Sequence, residues 1–167
     1  VFIMRKDHPL AGFQTELKHL GLNEISPAEQ RTLDALKQVF KGKLIGVQVA
    51  TTYANFADQY LGGHAEIRIY DFQHTVDLDL YQERLDALIG DMPYWTQILN
   101  SPQGEDYQIA GPTMTGGPFG NGIGVAVRKE DQSLVDMFSK AIAEALHDGT
   151  IAKLSAKWFP FDVSAKE

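Results

Sequence analysis

The chain has 167 residues, a formal charge of −7 and no cysteine. The negative balance argues against binding nucleic acid through its phosphates, and the lack of thiols excludes disulfides and thiolate metal sites. No apolar run approaches the roughly 18 residues of a membrane-spanning helix, while a 44% hydrophobic content is enough for one good core or two small ones.

Residues 1–5 read as a strand, and 7–24 as a polar, irregular stretch with a short helix over 13–19. Ser26-Pro27-Ala28-Glu29 is a helix start, with a Ser cap, Pro at the first position and an acid at the third. That helix should run to about Phe40, because Leu33, Leu36, Val39 and Phe40 recur at helical spacing. A strand over 44–49, a helix over 52–60 and a strand over 66–70 follow. Then come a helix over 75–85, a strand over 87–89, a helix from 92 to 97, a loop over 102–105 and a strand over 107–110. Strands alternating with helices predict an α/β sandwich. Behind a glycine-rich hinge loop at 116–122 lies a β-rich run, 122–128. A helix over 133–147 carries Leu134, Phe138, Ala141, Ile142 and Ala145 on one stripe. Gly149 is a candidate to end it, and Ile151, Leu154, Trp158 and Phe159 continue an apolar face.

Two segments carry candidate chemistry. In Leu44 to Phe56, an apolar strand leads through Gln48, Val49 and Ala50 to two hydroxyls, Thr51 and Thr52, and a helix start at Tyr53. A helix N-terminus leaves backbone N–H groups without partners and favours an anion. The threonines either cap the helix or turn toward a bound carboxylate. In Arg84-Leu85-Asp86-Ala87-Leu88-Ile89-Gly90-Asp91, an apolar strand ends in Gly90 and Asp91. Ligands of open α/β sheets bind outside the carboxyl ends of the strands. Asp91 is there either as an acceptor for a ligand ammonium or as an ordinary N-cap of the next helix. Together the segments suit a free α-amino acid.

These blocks resemble the polar amino-acid family of periplasmic solute-binding proteins, the receptors of ABC importers. That family includes lysine/arginine/ornithine-, histidine- and opine-binding proteins. Gly46-Val47-Gln48-Val49-Ala50-Thr51-Thr52 is similar to the family's G-V-Q-x-G-T-T, and Arg84-Leu85-Asp86-Ala87 to its G-R-I-D-A, with Asp91 at the usual acidic position. The stretch Gly111-Pro112-Thr113-Met114-Thr115-Gly116-Gly117-Pro118-Phe119-Gly120, followed by 122–131, resembles the opine-type branch. Two departures stand out. Ala50 replaces a Gly, which is tolerable where φ is negative, and Glu83 replaces another. Set against the family's pattern, the chain is expected to lack most of the first lobe, the part that precedes the first interlobe strand.

The resemblance implies a three-layer lobe of a type II periplasmic binding protein. It divides the chain into a hinge strand (1–5), the second ligand-binding lobe (6–121), a returning hinge strand (122–128) and C-terminal helices of an incomplete first lobe (129–167). It implies a periplasmic location, no cofactor and two partners, a small amino acid or opine and the importer's membrane subunits. Thr51 and Thr52 would hold the ligand carboxylate, Asp91 its ammonium, and Gln48 and Tyr53 would border the side-chain pocket. Because Val1 is not a natural start, the chain is expected to be mature or truncated. With the first lobe's sheet missing, the apolar C-terminal helices are expected to seek a partner, a second copy being the simplest.

Other chemistries find no support. The glycine run lacks the Gly-Lys-Ser/Thr ending of a phosphate loop and the spacing of a dinucleotide turn. The histidines His8, His19, His64, His74 and His147 show no metal spacing and read as surface residues. No Gly-x-Ser-x-Gly elbow is present. Asp77, Asp79, Glu83 and Asp86 read as a solvated helix face. Trp95 is expected to pack under a loop or to border the cleft. An enzyme on the same fold, dehydratase-like, and the sensor domain of a membrane receptor are the alternatives to a transport receptor. An enzyme would need a base beside Asp91, and the sequence offers none.

Overall fold

The computed structural model describes residues 1–120, 122–160 and 163. Contacts divide the chain into two units, with the boundary after Gly120.

The first unit is built on a five-stranded mixed sheet in the order β4-β3-β5-β1-β6. Its strands are β1 (Phe2–Arg5), β3 (Leu44–Gln48), β4 (Glu66–Tyr70), β5 (Ala87–Ile89) and β6 (Tyr107–Ala110). Strands β4, β3 and β5 are parallel, and β1 runs antiparallel between β5 and β6. Side chains of successive strand residues point to opposite faces, so β1 feeds both sides. Phe2 and Met4 enter one core cluster and Ile3 the other. On the first face, helix α1 (Pro27–Val39) contributes Leu33 and Leu36, and helix α2 (Thr52–Phe56) contributes Phe56. On the second, helix α3 (Gln73–Tyr81) contributes Val76 and Leu80, and helix α4 (Met92–Leu99) contributes Trp95. The unit is therefore a three-layer α/β/α sandwich.

Local signals explain most of these boundaries. Ser26 accepts from the Glu29 amide and Glu29 reaches back to the Ser26 N–H at 2.7 Å, a complete capping box. Four expectations change. The 13–19 segment is not helical. Its polar groups pair outward instead, the Leu17 N–H with Thr32 and the Lys18 carbonyl with the Thr113 N–H, and His19–Gly21 forms β2, parallel to β7 (Thr113–Thr115). The 52–60 helix is α2 followed by a wider π turn, Ala57–Leu61. The 75–85 helix stops at Tyr81. Glu83 then turns left-handed, at φ 58°, to bring the chain into β5. The glycine loop is anchored through Gly120 rather than free. Gly117 donates to Asn23 at 2.9 Å, and Phe119 packs on Tyr53 and Phe56.

The second unit carries helices α5 (Gln132–His147) and α6 (Thr150–Trp158), with Gly149 left-handed between them at φ 75°. Residues 122–128, expected as a strand, carry no strand pairing among the described residues. A strand forms only where a neighbouring ladder takes its N–H and C=O groups. Phe138, Ile142, Leu154 and Trp158 are all exposed.

Candidate functional site

Strands β3 and β5 are parallel neighbours, with Ile45 opposite Ala87, so both end at the same edge of the sheet. From the end of β3, the chain turns at Ala50 and enters α2. From the end of β5, it passes Gly90 and enters α4. Two helix N-termini therefore lie side by side at the carboxyl edge, and all five sequence-predicted residues gather there.

Each N-cap takes the local role that its residue type favours. The Thr51 hydroxyl donates to the Gln48 carbonyl at 2.7 Å and accepts from the Ala54 N–H at 3.2 Å. Thr51 therefore stiffens the turn, and Thr52 beside it is exposed. Asp91 accepts the Tyr94 N–H on Oδ1 at 3.1 Å and the Tyr53 hydroxyl on Oδ2 at 3.2 Å. The Tyr53–Asp91 bond ties the two segments directly. Burial, then the neighbouring Asp91 carboxylate, pushes the Tyr53 hydroxyl's pKa upward, so it stays a donor. Gln48 is half-buried, and its amide reaches the Asp71 carbonyl at 3.4 Å.

The turn itself departs from expectation. Ala50 has φ 56°, in the left-handed region, not the negative range that would tolerate a side chain. Gly90 is required for a different reason. A Cβ there would stand 2.7 Å from the Trp95 indole nitrogen. Trp95 is fully buried beneath the edge, so it packs and does not border an opening.

The model of the bacterial extracellular solute-binding proteins, family 3, matches residues 2–161. The chain belongs to that family. The histidine-binding periplasmic protein of Escherichia coli is 37% identical across 80% of the chain and 51% of the relative. The octopine-binding periplasmic protein of Rhizobium meliloti is 28% identical across 98% and 61%. The L-arginine-binding protein of Pseudomonas aeruginosa is 33% identical across 81% and 53%. The chain thus spans about half the length of most of these relatives. Its fold is that of solved periplasmic receptors. A variant of the arginine-binding protein from T. maritima gives a TM-score of 0.66 at 22% identity, over 95% of this chain and 56% of that one. A Salmonella typhimurium periplasmic binding protein gives 0.64 at 22%, over 95% and 59%.

Within this family member, sequence reasoning missed three contributors to the edge. Phe119 packs its ring 6.3 Å from that of Tyr53. Tyr94 supplies the amide that orients Asp91. Asp77, read as solvated, is buried, and it accepts the Tyr94 hydroxyl at 2.6 Å and the Gln73 amide at 2.8 Å. The Gln73/Asp77 spacing of four on a helix was the available signal. Asp79 and Asp86 are also largely shielded. Asp79 takes the Tyr70 hydroxyl at 2.7 Å, and Asp86 takes the Leu44 N–H at 2.8 Å and His8 at 3.0 Å.

A cavity of about 370 Å³ opens at the other end of the sheet, lined by Arg5, His8, Glu83 and Asp86 among others. Its charges satisfy one another, Arg5 with Asp7 at 2.7 Å and with Glu83 at 2.9 Å. It therefore offers a ligand less than the carboxyl edge does. Among the described residues, no cluster of His, Asp and Glu could hold a metal ion.

Proposed function

We propose that this chain is the second lobe and C-terminal helices of an extracytoplasmic receptor. The receptor would deliver a polar or basic amino acid, or an opine-like derivative, to the membrane subunits of an ABC importer. One observation carries this reading: Asp91 and the α2 N-terminus converge at the carboxyl edge of a sheet whose family binds solutes. Asp91 would receive the ligand's α-ammonium. The Thr52 hydroxyl and the first N–H groups of α2 would receive its carboxylate, with Thr51 holding the turn that presents them. Gln48 and Tyr53 would border the side-chain pocket. Charge-assisted bonds of this kind contribute about 1.5–3 kcal/mol each. The periplasmic names of the relatives support the same compartment for this chain.

An ordinary α-amino acid fits better than an opine. An opine carries a second acid on its amine, which would face the Asp91 carboxylate. The opine-like loop has a packing role that accounts for its residues, since Phe119 stacks on α2 and Gly117 bonds Asn23.

The contacts of one lobe alone give weak binding, because the other lobe's contacts and closure are worth roughly three to four decades. Titration with L-arginine in the millimolar range, followed by amide NMR, tests the reading. Shifts should centre on Thr52, Tyr53 and Asp91, and Asp91→Ala should weaken the binding they report while leaving it measurable at higher ligand concentration. Shifts elsewhere, or wild-type shifts unchanged in Asp91→Ala, would refute the assignment.

The exposed helices of the second unit support a further part of the proposal, association with a second copy. Trp158 is 66% exposed and Phe138 43%. Each large apolar side chain gains about 1.5–3 kcal/mol on full burial.

A further inference from the structure

Asp77 lies on α3, at the far end of a chain of hydrogen bonds from the ligand edge. Gln73 Nε2 donates to its Oδ1 at 2.8 Å, and the Tyr94 hydroxyl donates to its Oδ2 at 2.6 Å. The Tyr94 backbone N–H donates in turn to Asp91 Oδ1. The Tyr53 hydroxyl closes the relay on Asp91 Oδ2. An aspartate N-cap ordinarily draws on the amides of the second or third helical residue. Here the second is Pro93, which has no N–H. Tyr94 is thus the backbone donor left to orient the Asp91 carboxylate, and its own ring is tethered to Asp77. The buried Trp95 holds α4 against the core. Asp77 itself is 4% exposed. Burying a carboxylate costs stability that an apolar residue at this position would not. A role in fixing geometry accounts for that cost.

Building on the proposed function, we infer that Asp77 and Tyr94 are positioning residues. They hold the first turn of α4, and through it the Asp91 carboxylate, at the angle a ligand ammonium requires. Neither needs to touch ligand. The pair sets the preference for amine-bearing solutes and leaves recognition of the carboxylate alone.

Tyr94→Phe removes the tether and keeps the ring and the capping amide. Asp77→Asn keeps the shape and an acceptor oxygen. In ligand-free protein, Tyr94→Phe should speed hydrogen exchange of the amide at position 94 by roughly five- to tenfold, the worth of a capping bond. It should also average the Asp91 χ1 couplings, and Asp77→Asn should do so far less. Titrations should then use two probes, L-arginine and its des-amino analogue. Tyr94→Phe should weaken L-arginine by about the same factor, leave the des-amino compound unchanged, and add nothing in an Asp91→Ala background. Equal losses for both probes would reduce the pair to a structural role, as would unchanged exchange and couplings. If L-arginine does not bind at this edge at all, the basic-amino-acid form of the proposed function fails. The ligand-free measurements still decide whether Asp77 and Tyr94 orient Asp91.

Discussion

Ala50→Gly should stabilise this protein. Ala50 turns the chain from β3 into α2 at φ 56° and is exposed, so its methyl gains no core packing. A non-glycine residue in the left-handed region loses about 1–2 kcal/mol to the clash between Cβ and carbonyl. Glycine removes that clash but loosens the unfolded chain by about 0.4–1 kcal/mol. The difference is a net gain of about 0.5–1 kcal/mol, a rise of about 1–4 °C in melting temperature for a domain of this size. Urea unfolding followed by the fluorescence of the buried Trp95 reads it directly, as a higher midpoint with an unchanged slope. Glu83→Gly is the internal control. It relieves the same strain at φ 58° but deletes the surface ion pair with Arg5. Its gain should be smaller. A midpoint for Ala50→Gly at or below that of the parent, with the slope unchanged, would show that the turn is not strained.

Two further outcomes follow from the packing. Burial raises the pKa of the Asp86 carboxyl, but the Leu44 N–H, His8 and Lys43 outweigh it, so the carboxyl lies below its ordinary value. A depressed carboxylate contributes stability above its unfolded pKa of about 4 and loses it as pH falls through the lower folded value. Asp86→Asn should therefore flatten the acid limb of a stability–pH profile below about pH 4, and an unaltered limb would refute the pairing. Static light scattering across a dilution series should show association above the 18.5 kDa monomer, and Trp158→Glu should reverse it. A monomer at every concentration would remove the second copy as the partner of α5 and α6.

The sequence determined the elements whose signals are local. Ser26, Pro27 and Glu29 specify the start of α1, because a cap needs only its own turn. The strands at 66–70, 87–89 and 107–110 have the predicted bounds, because short β-branched or apolar runs between turn residues have few alternatives. The residues of the carboxyl edge were legible as a set for the same reason. Gln48 ends β3, Thr51, Thr52, Tyr53 and Asp91 lie at the helix starts that follow β3 and β5, and parallel neighbours must end together.

The tertiary structure decided what depends on distant partners. The pairing of β2 with β7 joins His19 to Thr113, and neither triplet carries a strand pattern strong enough to outweigh its polar setting. Asp77, Asp79 and Asp86 share one composition with a solvated helix face. Only the placement of Tyr94, Tyr70 and Leu44 makes them buried or half-buried acceptors. The sign of φ at Ala50 is likewise invisible in the residue type. It is set by the need to carry the chain from β3 into an α2 that packs Phe56 on the sheet. Side-chain chemistry fixes what a segment can do locally, and packing across the sheet fixes which of those options lowers the free energy of the whole.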